Sequence, residues 1–180
     1  MKEAIRVGIQ APGFDLPGVD GKNHTLGGIL EGRRAAVILF WCNHCPYVSS
    51  YEERIKKMAQ RYAPKGVAFV LINSDSEAAH PEDSLENMKK RAAAAGYPFP
   101  YLRDKDGAVA GAYEAGTIPE AFVVDAAGAV RYAGKIDDCW QSERRVKRQP
   151  LRDAIEDVLH DRDVAVKTAP PVGCAIKREA

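Results

Sequence analysis

Two short, nearly continuous apolar runs dominate the first half of the chain. They read AAVILFW at 35–41 and GVAFVLIN at 66–73, which is typical of strands covered by helices on both faces. Between the two runs, and before Pro64 and Gly66, apolar residues recur at the spacing of one helix face: Val48, Tyr51, Ile55, Met58, Ala59 and Tyr62. The pattern predicts a right-handed βαβ unit whose two strands are parallel.

The rest of the pattern predicts five further elements. Turn residues between apolar stretches indicate hairpins, and helical spacing bounded by proline and glycine indicates helices. The predicted elements are a hairpin at 14–26, a helix from Pro81 to Ala95 capped by Gly96, an extended segment at 98–104, a hairpin at 121–136 and a final helix after Pro150. This order predicts an α/β fold with a mixed central sheet and helices on both faces.

The length of the chain favours a simple organisation. A chain of 180 residues is long enough for one compact domain with its own core, so we expect one domain over 1–180. The last part, 160–180, carries four spaced apolar residues: Val164, Val166, Val172 and Ile176. A disordered tail is normally more polar, so residues 160–180 are predicted to pack on the domain.

Composition and charge exclude several functional classes. The net charge is +1 and 28% of the residues are charged, so we expect no binding to nucleic acid or to membranes. The N-terminal sequence MKEAIRVGIQAPGF lacks the apolar stretch of a secretory signal, which predicts a cytoplasmic protein. Four cysteines do not indicate a disulfide scaffold in a reducing compartment, where a close pair indicates catalysis or metal binding.

Two of the cysteines lie in the motif FWCNHCPYV at 40–48, where the first predicted strand meets its helix. Four uses fit the spacing: a metal clip, a structural disulfide, a peroxide-reducing thiol and a dithiol that exchanges disulfides. Because a helix N-terminus stabilises a thiolate, we expect Cys42 to be the exposed attacking thiol and Cys45 the shielded resolving thiol. His44 is expected to favour the thiolate, and Pro46 to occupy the first helical turn.

The sequence WCNHC after a strand resembles the active site of thioredoxin-fold proteins. The N-terminal part of the chain resembles the redoxin group, the alkyl hydroperoxide reductase and thiol-specific antioxidant superfamily. Within that group, CNHCPYV and the C-terminal PPVGCAIK are similar to a subgroup of small bacterial thioredoxin-like thiol–disulfide oxidoreductases. The resemblance spans about residues 10–178. It implies a thioredoxin-like fold with an extra N-terminal hairpin and a C-terminal extension.

The resemblance also implies an activity and a set of site residues. Disulfide exchange would run through Cys42 and Cys45, supported by their neighbours and by a cis-proline segment: Trp41, Asn43, His44, Pro46, Thr117, Ile118 and Pro119. The cis-proline would present the Ile118 backbone to a bound partner and keep metal off the thiols. We expect no cofactor and no metal. The expected partners are protein or small-molecule disulfides and an upstream thiol reductant.

The chain departs from its relatives in the first predicted strand. Peroxiredoxins carry proline and threonine where this chain has Ala35 and Leu39, so the pocket that orients a peroxide is missing. Thioredoxins carry a buried acid where this chain has Ala36, which leaves the proton acceptor for Cys45 open. A thiol peroxidase that uses Cys42 and a binding module with vestigial cysteines are the alternatives. Zinc is disfavoured, because structural zinc sites usually take two spaced ligand pairs.

Cys139 and Cys174 each stand alone in the sequence. Free cysteine is among the most buried residue types, so we expect Cys174 to be buried in the packed tail and shielded from oxidation. The alternative places Cys174 near Cys42 as a third redox thiol, which requires Cα atoms within about 7 Å. Cys139 is expected to be incidental.

Overall fold

The computed structural model of the protein describes residues 7–178. Its strands are β1 (Asp15–Pro17), β2 (Asn23–Thr25), β3 (Ala35–Phe40), β4 (Val67–Asn73), β5 (Tyr101–Arg103), β6 (Thr117–Ile118), β7 (Glu120–Asp125), β8 (Val130–Gly134), β9 (Thr168–Ala169) and β10 (Cys174–Ala175). Its α-helices are α1 (Leu26–Leu30), α2 (Pro46–Tyr62), α3 (Leu85–Ala95), α4 (Ala108–Ala112) and α5 (Pro150–Leu159). The two ends of the predicted domain, 1–6 and 179–180, lie outside the described residues.

A six-stranded sheet in the order β5-β4-β3-β7-β8-β9 forms the centre of the protein. β3 runs parallel to β4, pairing Ala35 with Val67, and antiparallel to β7, pairing Ala35 with Asp125. The parallel pair is connected through α2, as a βαβ unit requires. The predicted mixed sheet is confirmed.

Side chains along β3 alternate between two core layers. Val37 packs on one face with Ile55 of α2 and Ile155 of α5, whereas Ile38 packs on the other face with Val109 of α4. Every residue of β3 is fully buried. Helices therefore cover both faces, which is why this strand has an unbroken apolar sequence.

Both predicted hairpins and the final helix are present. The hairpin at 14–26 consists of β1 and β2, the hairpin at 121–136 consists of β7 and β8, and the helix after 150 is α5. The sequence pattern did not predict α1, α4, β9 and β10, none of which is longer than five residues. Elements this short carry too few periodic positions to stand out. Within 7–178, no helix combines the length and the apolar character that crossing a membrane requires.

The second predicted helix begins later than expected. Pro81–Asp83 form a separate 3₁₀ turn, and the side chain of Ser84 caps α3 by accepting the N–H of Asn87 at 3.2 Å. The helix therefore starts at Leu85 rather than at Pro81. It ends as predicted at Gly96, whose φ of 64° is left-handed.

The chain after α5 returns to the domain as the predicted C-terminal extension. β9 pairs parallel with β8, and β10 pairs antiparallel with β6, which places Cys174 opposite Ile118. Further along, the N–H of Lys177 donates to Asp75 Oδ1 at 2.6 Å. These backbone hydrogen bonds tie the extension to the loops at the end of the sheet where the cysteine motif lies.

Candidate active site

Cys42 and Cys45 lie in the connection between β3 and α2. Cys45 is the N-cap of α2, Pro46 is its first residue as expected, and both cysteines are 0% exposed. The predicted exposed position of Cys42 is therefore wrong. The helix begins only at Pro46, so Cys42 lies in the preceding loop. The N–H of the adjacent Asn43 donates to Asp83 Oδ1 at 2.6 Å. This hydrogen bond holds the 3₁₀ turn at 81–83 against the cysteine pair.

The negative charge of the reduced pair rests on Cys45. The hydrogen bond from the Cys42 thiol is the largest cause that lowers the pKa of Cys45, to about 5, and the Cys174 thiol and the first N–H groups of α2 lower it further, against the effect of burial. The pKa of Cys42 is raised, because its proton is held in the hydrogen bond to Cys45, because it is buried, and because the Asp83 carboxylate is near. The helix N-terminus thus stabilises the thiolate of Cys45.

His44 lies between two fully buried carboxylates. Its Nδ1 contacts Asp83 Oδ2, and its Nε2 lies 3.5 Å from Asp75 Oδ2. The ring of His80 stacks on it, with the ring centroids 3.9 Å apart. We expected His44 to act on a thiolate, but both ring nitrogens face carboxylates, because the loop after β4 and the 3₁₀ turn at 81–83 bring two aspartates to it.

Asp75 has one carboxylate oxygen without a partner. Oδ1 accepts the N–H of Lys177, whereas Oδ2 has no hydrogen-bond partner among the described residues. Burial raises the pKa of Asp75 from its ordinary value. Burial therefore favours the protonated form of Asp75, which makes this carboxyl group a candidate site for proton uptake.

Trp41 and Asn43 hold the loop in place. The indole N–H of Trp41 donates to the Tyr97 hydroxyl at 3.1 Å. The side-chain oxygen of Asn43 accepts a hydrogen bond from the Tyr101 hydroxyl at 2.8 Å, in addition to the bond from its N–H to Asp83. These buried bonds fix the backbone on both sides of Cys42.

The segment of Thr117, Ile118 and Pro119 faces the pair from the opposite side. The Ile118–Pro119 peptide bond is cis, as the resemblance implied. The Ile118 carbonyl oxygen lies 3.7 Å from Cys45 Sγ. Because Thr117 and Ile118 form β6, their backbone groups also pair with β10 of the C-terminal extension.

Cys174 belongs to the same site. Its Sγ lies 2.8 Å from Cys45 Sγ, and its side chain is only partly buried. The expectation of a shielded, structural Cys174 is therefore wrong, because the pairing of β10 with β6 brings this thiol to Cys45. Cys139 lies elsewhere, with its Sγ 3.7 Å from Gln141 Oε1, and no described contact joins it to the cysteine pair.

Four side chains of types that bind metals meet in this site. Cys42, His44, Asp75 and Asp83 each contribute a candidate ligand atom, and these atoms lie within 4.8 Å of one another. Counting cysteine pairs in the sequence missed the cluster, because two of its members are carboxylates. A metal here would have to replace the His44–Asp83 contact and the Cys42 proton.

The two aspartates are the site residues that the sequence analysis missed. Asp75 gave a usable signal, because the polar run NSDS at 73–76 directly follows a buried strand, and functional groups collect at the carboxyl ends of parallel strands. Asp83 gave none, since an acidic residue in a first helical turn is ordinary.

Several known proteins are similar to this chain in sequence or in fold. DsbE, a thiol:disulfide interchange protein of Pseudomonas fluorescens biotype C, is 31% identical over 159 residues, which are 82% of this chain and 78% of DsbE. The structure of an uncharacterized conserved protein from Geobacillus kaustophilus is 39% identical with a TM-score of 0.90, covering 98% of this chain and 94% of that one.

A thioredoxin family thiol:disulfide interchange protein from Chlorobium tepidum TLS is 25% identical with a TM-score of 0.58, covering 70% of this chain and 84% of that one. The predicted thioredoxin-like fold is thereby confirmed. Residues 7–133 match the AhpC/TSA family, which is most of the sequence. The chain therefore belongs to the AhpC/TSA family.

Proposed function

We propose that this protein exchanges disulfides with its partners through Cys42 and Cys45. Its family and its named relatives make the chain a thiol–disulfide oxidoreductase. One observation supports the assignment to these two residues above all others. Both thiols are buried where β3 meets the N-terminus of α2, and Cys45 Sγ lies 3.7 Å from the Ile118 carbonyl oxygen, just before the cis bond to Pro119, which is a setting for dithiol exchange.

Exchange takes two displacement steps. In the first, Cys42 attacks one sulfur of a partner disulfide, the other partner sulfur leaves as a thiolate, and the Cys42 proton passes to Cys45. In the second, Cys45 loses that proton and attacks the Cys42 sulfur, which releases the remaining partner thiolate and leaves a Cys42–Cys45 disulfide. Two electrons have then moved from the protein to its partner.

Asp75 is the proposed proton acceptor for the second step. Its Oδ2 is buried and unpartnered within the described part of the chain, and it lies 3.5 Å from His44 Nε2. Asp75 follows β4, the neighbour of β3, and its carboxylate lies within 4.8 Å of Cys42 Sγ, so we propose that it supplies the acid that is missing at Ala36.

The alternative functions lack support in the site. Ala35 and Leu39 are fully buried in β3 and bring no hydroxyl group to orient a peroxide. A binding module with vestigial cysteines does not need two thiols whose pKa values are pushed in opposite directions, which is a mark of acid–base and redox sites.

The partners stay predictions, namely protein or small-molecule disulfides and an upstream thiol reductant. The cytoplasmic location and the absence of nucleic-acid and membrane binding stay predictions as well, and so does a single domain over 1–180.

Reduction of insulin disulfides by dithiothreitol tests the proposal. Cys42→Ser and Cys45→Ser are each expected to bring the rate to that of dithiothreitol alone, and the control Cys139→Ser to leave it unchanged. Because Cys45 resolves the mixed disulfide, Cys45→Ser is also expected to accumulate a covalent adduct with a partner peptide. A wild-type rate in Cys42→Ser would contradict the assignment.

A further inference from the structure

The C-terminal extension passes very close to the cis-proline segment. A Cβ atom at Gly173 would lie 1.9 Å from the Ile118 carbonyl oxygen, a separation that no side chain tolerates. On the next residue, Cys174 pairs with Ile118 across the β10–β6 ladder. The absence of a side chain at Gly173 therefore allows the extension to bring a thiol to Cys45.

The extension lies as a bound peptide would lie. An extended segment that adds to the free edge of a short strand is a common form of peptide recognition, and β10 adds to β6 in this way. A partner that pairs with the backbone before Pro119 would present its own cysteine near the pair. Here Cys174 has that position, with its Sγ 2.8 Å from Cys45 Sγ.

The three thiols differ in their access to solvent. Cys42 and Cys45 are 0% exposed, whereas Cys174 is partly exposed. Thiol exchange requires a linear approach to the sulfur under attack, so access limits its rate. A disulfide that includes Cys174 is therefore more accessible to partners than a disulfide confined to the buried pair.

We propose that Cys174 is a third redox residue that carries the disulfide from the buried pair to the surface, an inference that rests on the proposed exchange activity. The Cys174 sulfur attacks Cys45 in the Cys42–Cys45 disulfide. The Cys45–Cys174 bond forms, the Cys42–Cys45 bond breaks, Cys174 gives up its proton and Cys42 takes one up. No electron leaves the protein in this step, so no external oxidant is needed.

The environment of Cys45 supports the second half of the relay. When a partner thiolate then attacks Cys174, the leaving group is Cys45, whose pKa is about 5. A leaving thiolate of low pKa departs faster. The relay therefore gives a partner thiol an exposed sulfur to attack and a stable thiolate to displace.

Disulfide mapping in glutathione buffers of increasing oxidising strength tests the proposal. Cleavage after lysine and arginine gives one peptide, 35–54, with both Cys42 and Cys45, and another, 168–177, with Cys174. In the full chain we expect the two peptides to be crosslinked in part of the oxidised population. The crosslink should become the main product in Cys42→Ser and be lost in Cys45→Ser.

A kinetic measurement complements the mapping. Oxidised Cys174→Ser should be reduced by glutathione more slowly than the wild type, whereas the control Cys139→Ser should match the wild type. If Cys42 and Cys45 titrate as a pair while 168–177 stays uncrosslinked in both the wild type and Cys42→Ser, the relay is wrong and the proposed function stands. If neither a disulfide within 35–54 nor the crosslink forms, the proposed function itself fails.

Discussion

At the scale of single residues, chemically identical thiols acquire different properties from their surroundings. Cys45 accepts hydrogen bonds at a helix N-terminus, and its pKa falls to about 5. Burial and the hydrogen bond to Cys45 raise the pKa of Cys174. Asp75, whose carboxylate acts on Cys174 and lies within 4.8 Å of Cys42 Sγ, has its own pKa raised by burial. The site thus holds one stable anion among groups that favour their protonated forms.

Asp75→Asn tests the role of this carboxyl group in proton transfer. Asparagine keeps the shape and can still accept the Lys177 N–H, but it cannot take up a proton. We expect insulin reduction to slow by roughly 10²-fold and its pH profile to lose the limb that Asp75 produces. Asp104→Asn is the control, because Asp104 is also buried but bonds to Ser74 and to the start of α4. An unchanged profile in Asp75→Asn would exclude the role.

At the scale of elements, two strands of two residues each decide the composition of the site. β6 and β10 pair over only two positions, which are too few for either strand to be stable by itself. The pairing persists because the extension is also bonded directly after β10, where the N–H of Ile176 donates to the Gly116 carbonyl oxygen and the N–H of Lys177 donates to Asp75. Short strands of this kind are stabilised by tertiary contacts rather than by sequence pattern.

Gly173→Ala is expected to displace the C-terminal extension from the cis-proline segment. The added methyl group would overlap the Ile118 carbonyl oxygen, at a cost of about 1–3 kcal/mol in the free energy of unfolding. Iodoacetamide should then alkylate the reduced cysteines of peptide 35–54 faster than in the wild type. In the matched control, Gly116→Ala, a Cβ meets nothing within 4 Å. Equal alkylation rates in all three proteins would show that the extension does not shield the pair.

At the scale of the whole molecule, the pKa of Cys45 makes the stability of the reduced protein depend on pH. Its pKa is lowered from an ordinary value of 9.0 to about 5 in the folded protein. At pH values between these two pKa values, the Cys45 thiol is protonated in the unfolded chain and ionised in the folded chain. The free energy of unfolding of the reduced protein therefore rises with pH over this interval, by at most about 1.4 kcal/mol per pH unit, and the contribution is lost as the pH falls through 5.

Urea denaturation of the reduced protein at a series of pH values measures this effect. We expect the free energy of unfolding to rise between about pH 5 and pH 9 in the wild type and in Cys139→Ser, and this increment to be missing in Cys45→Ser. Subtracting the pH dependence measured for Cys45→Ser from that of the wild type removes the contributions of Asp75 and of other titrating groups. Identical pH dependence in the wild type and in Cys45→Ser would contradict a stable thiolate at Cys45.

The central sheet and the position of the cysteine pair could both be predicted from the pattern along the chain. Continuous apolar runs at 35–41 and 66–73 are possible in a soluble protein only where helices cover both faces, and they proved to be β3 and β4. The spacing of Cys42 and Cys45 at a strand–helix junction indicated thiol chemistry before any contact was known. These features depend on neighbours along the chain, which the sequence displays directly.

The distribution of charge and the residues that complete the site depend on contacts that form only when the chain folds. Asp75, Asp83 and Cys174 are far from the pair in sequence, and a chain contact made through β10 or through the loop after β4 leaves no periodic signal. The burial of Cys42 likewise depends on a segment forty residues away that carries Asp83. A pKa depends on desolvation and on nearby charges, so it is set by these distant contacts rather than by the motif alone.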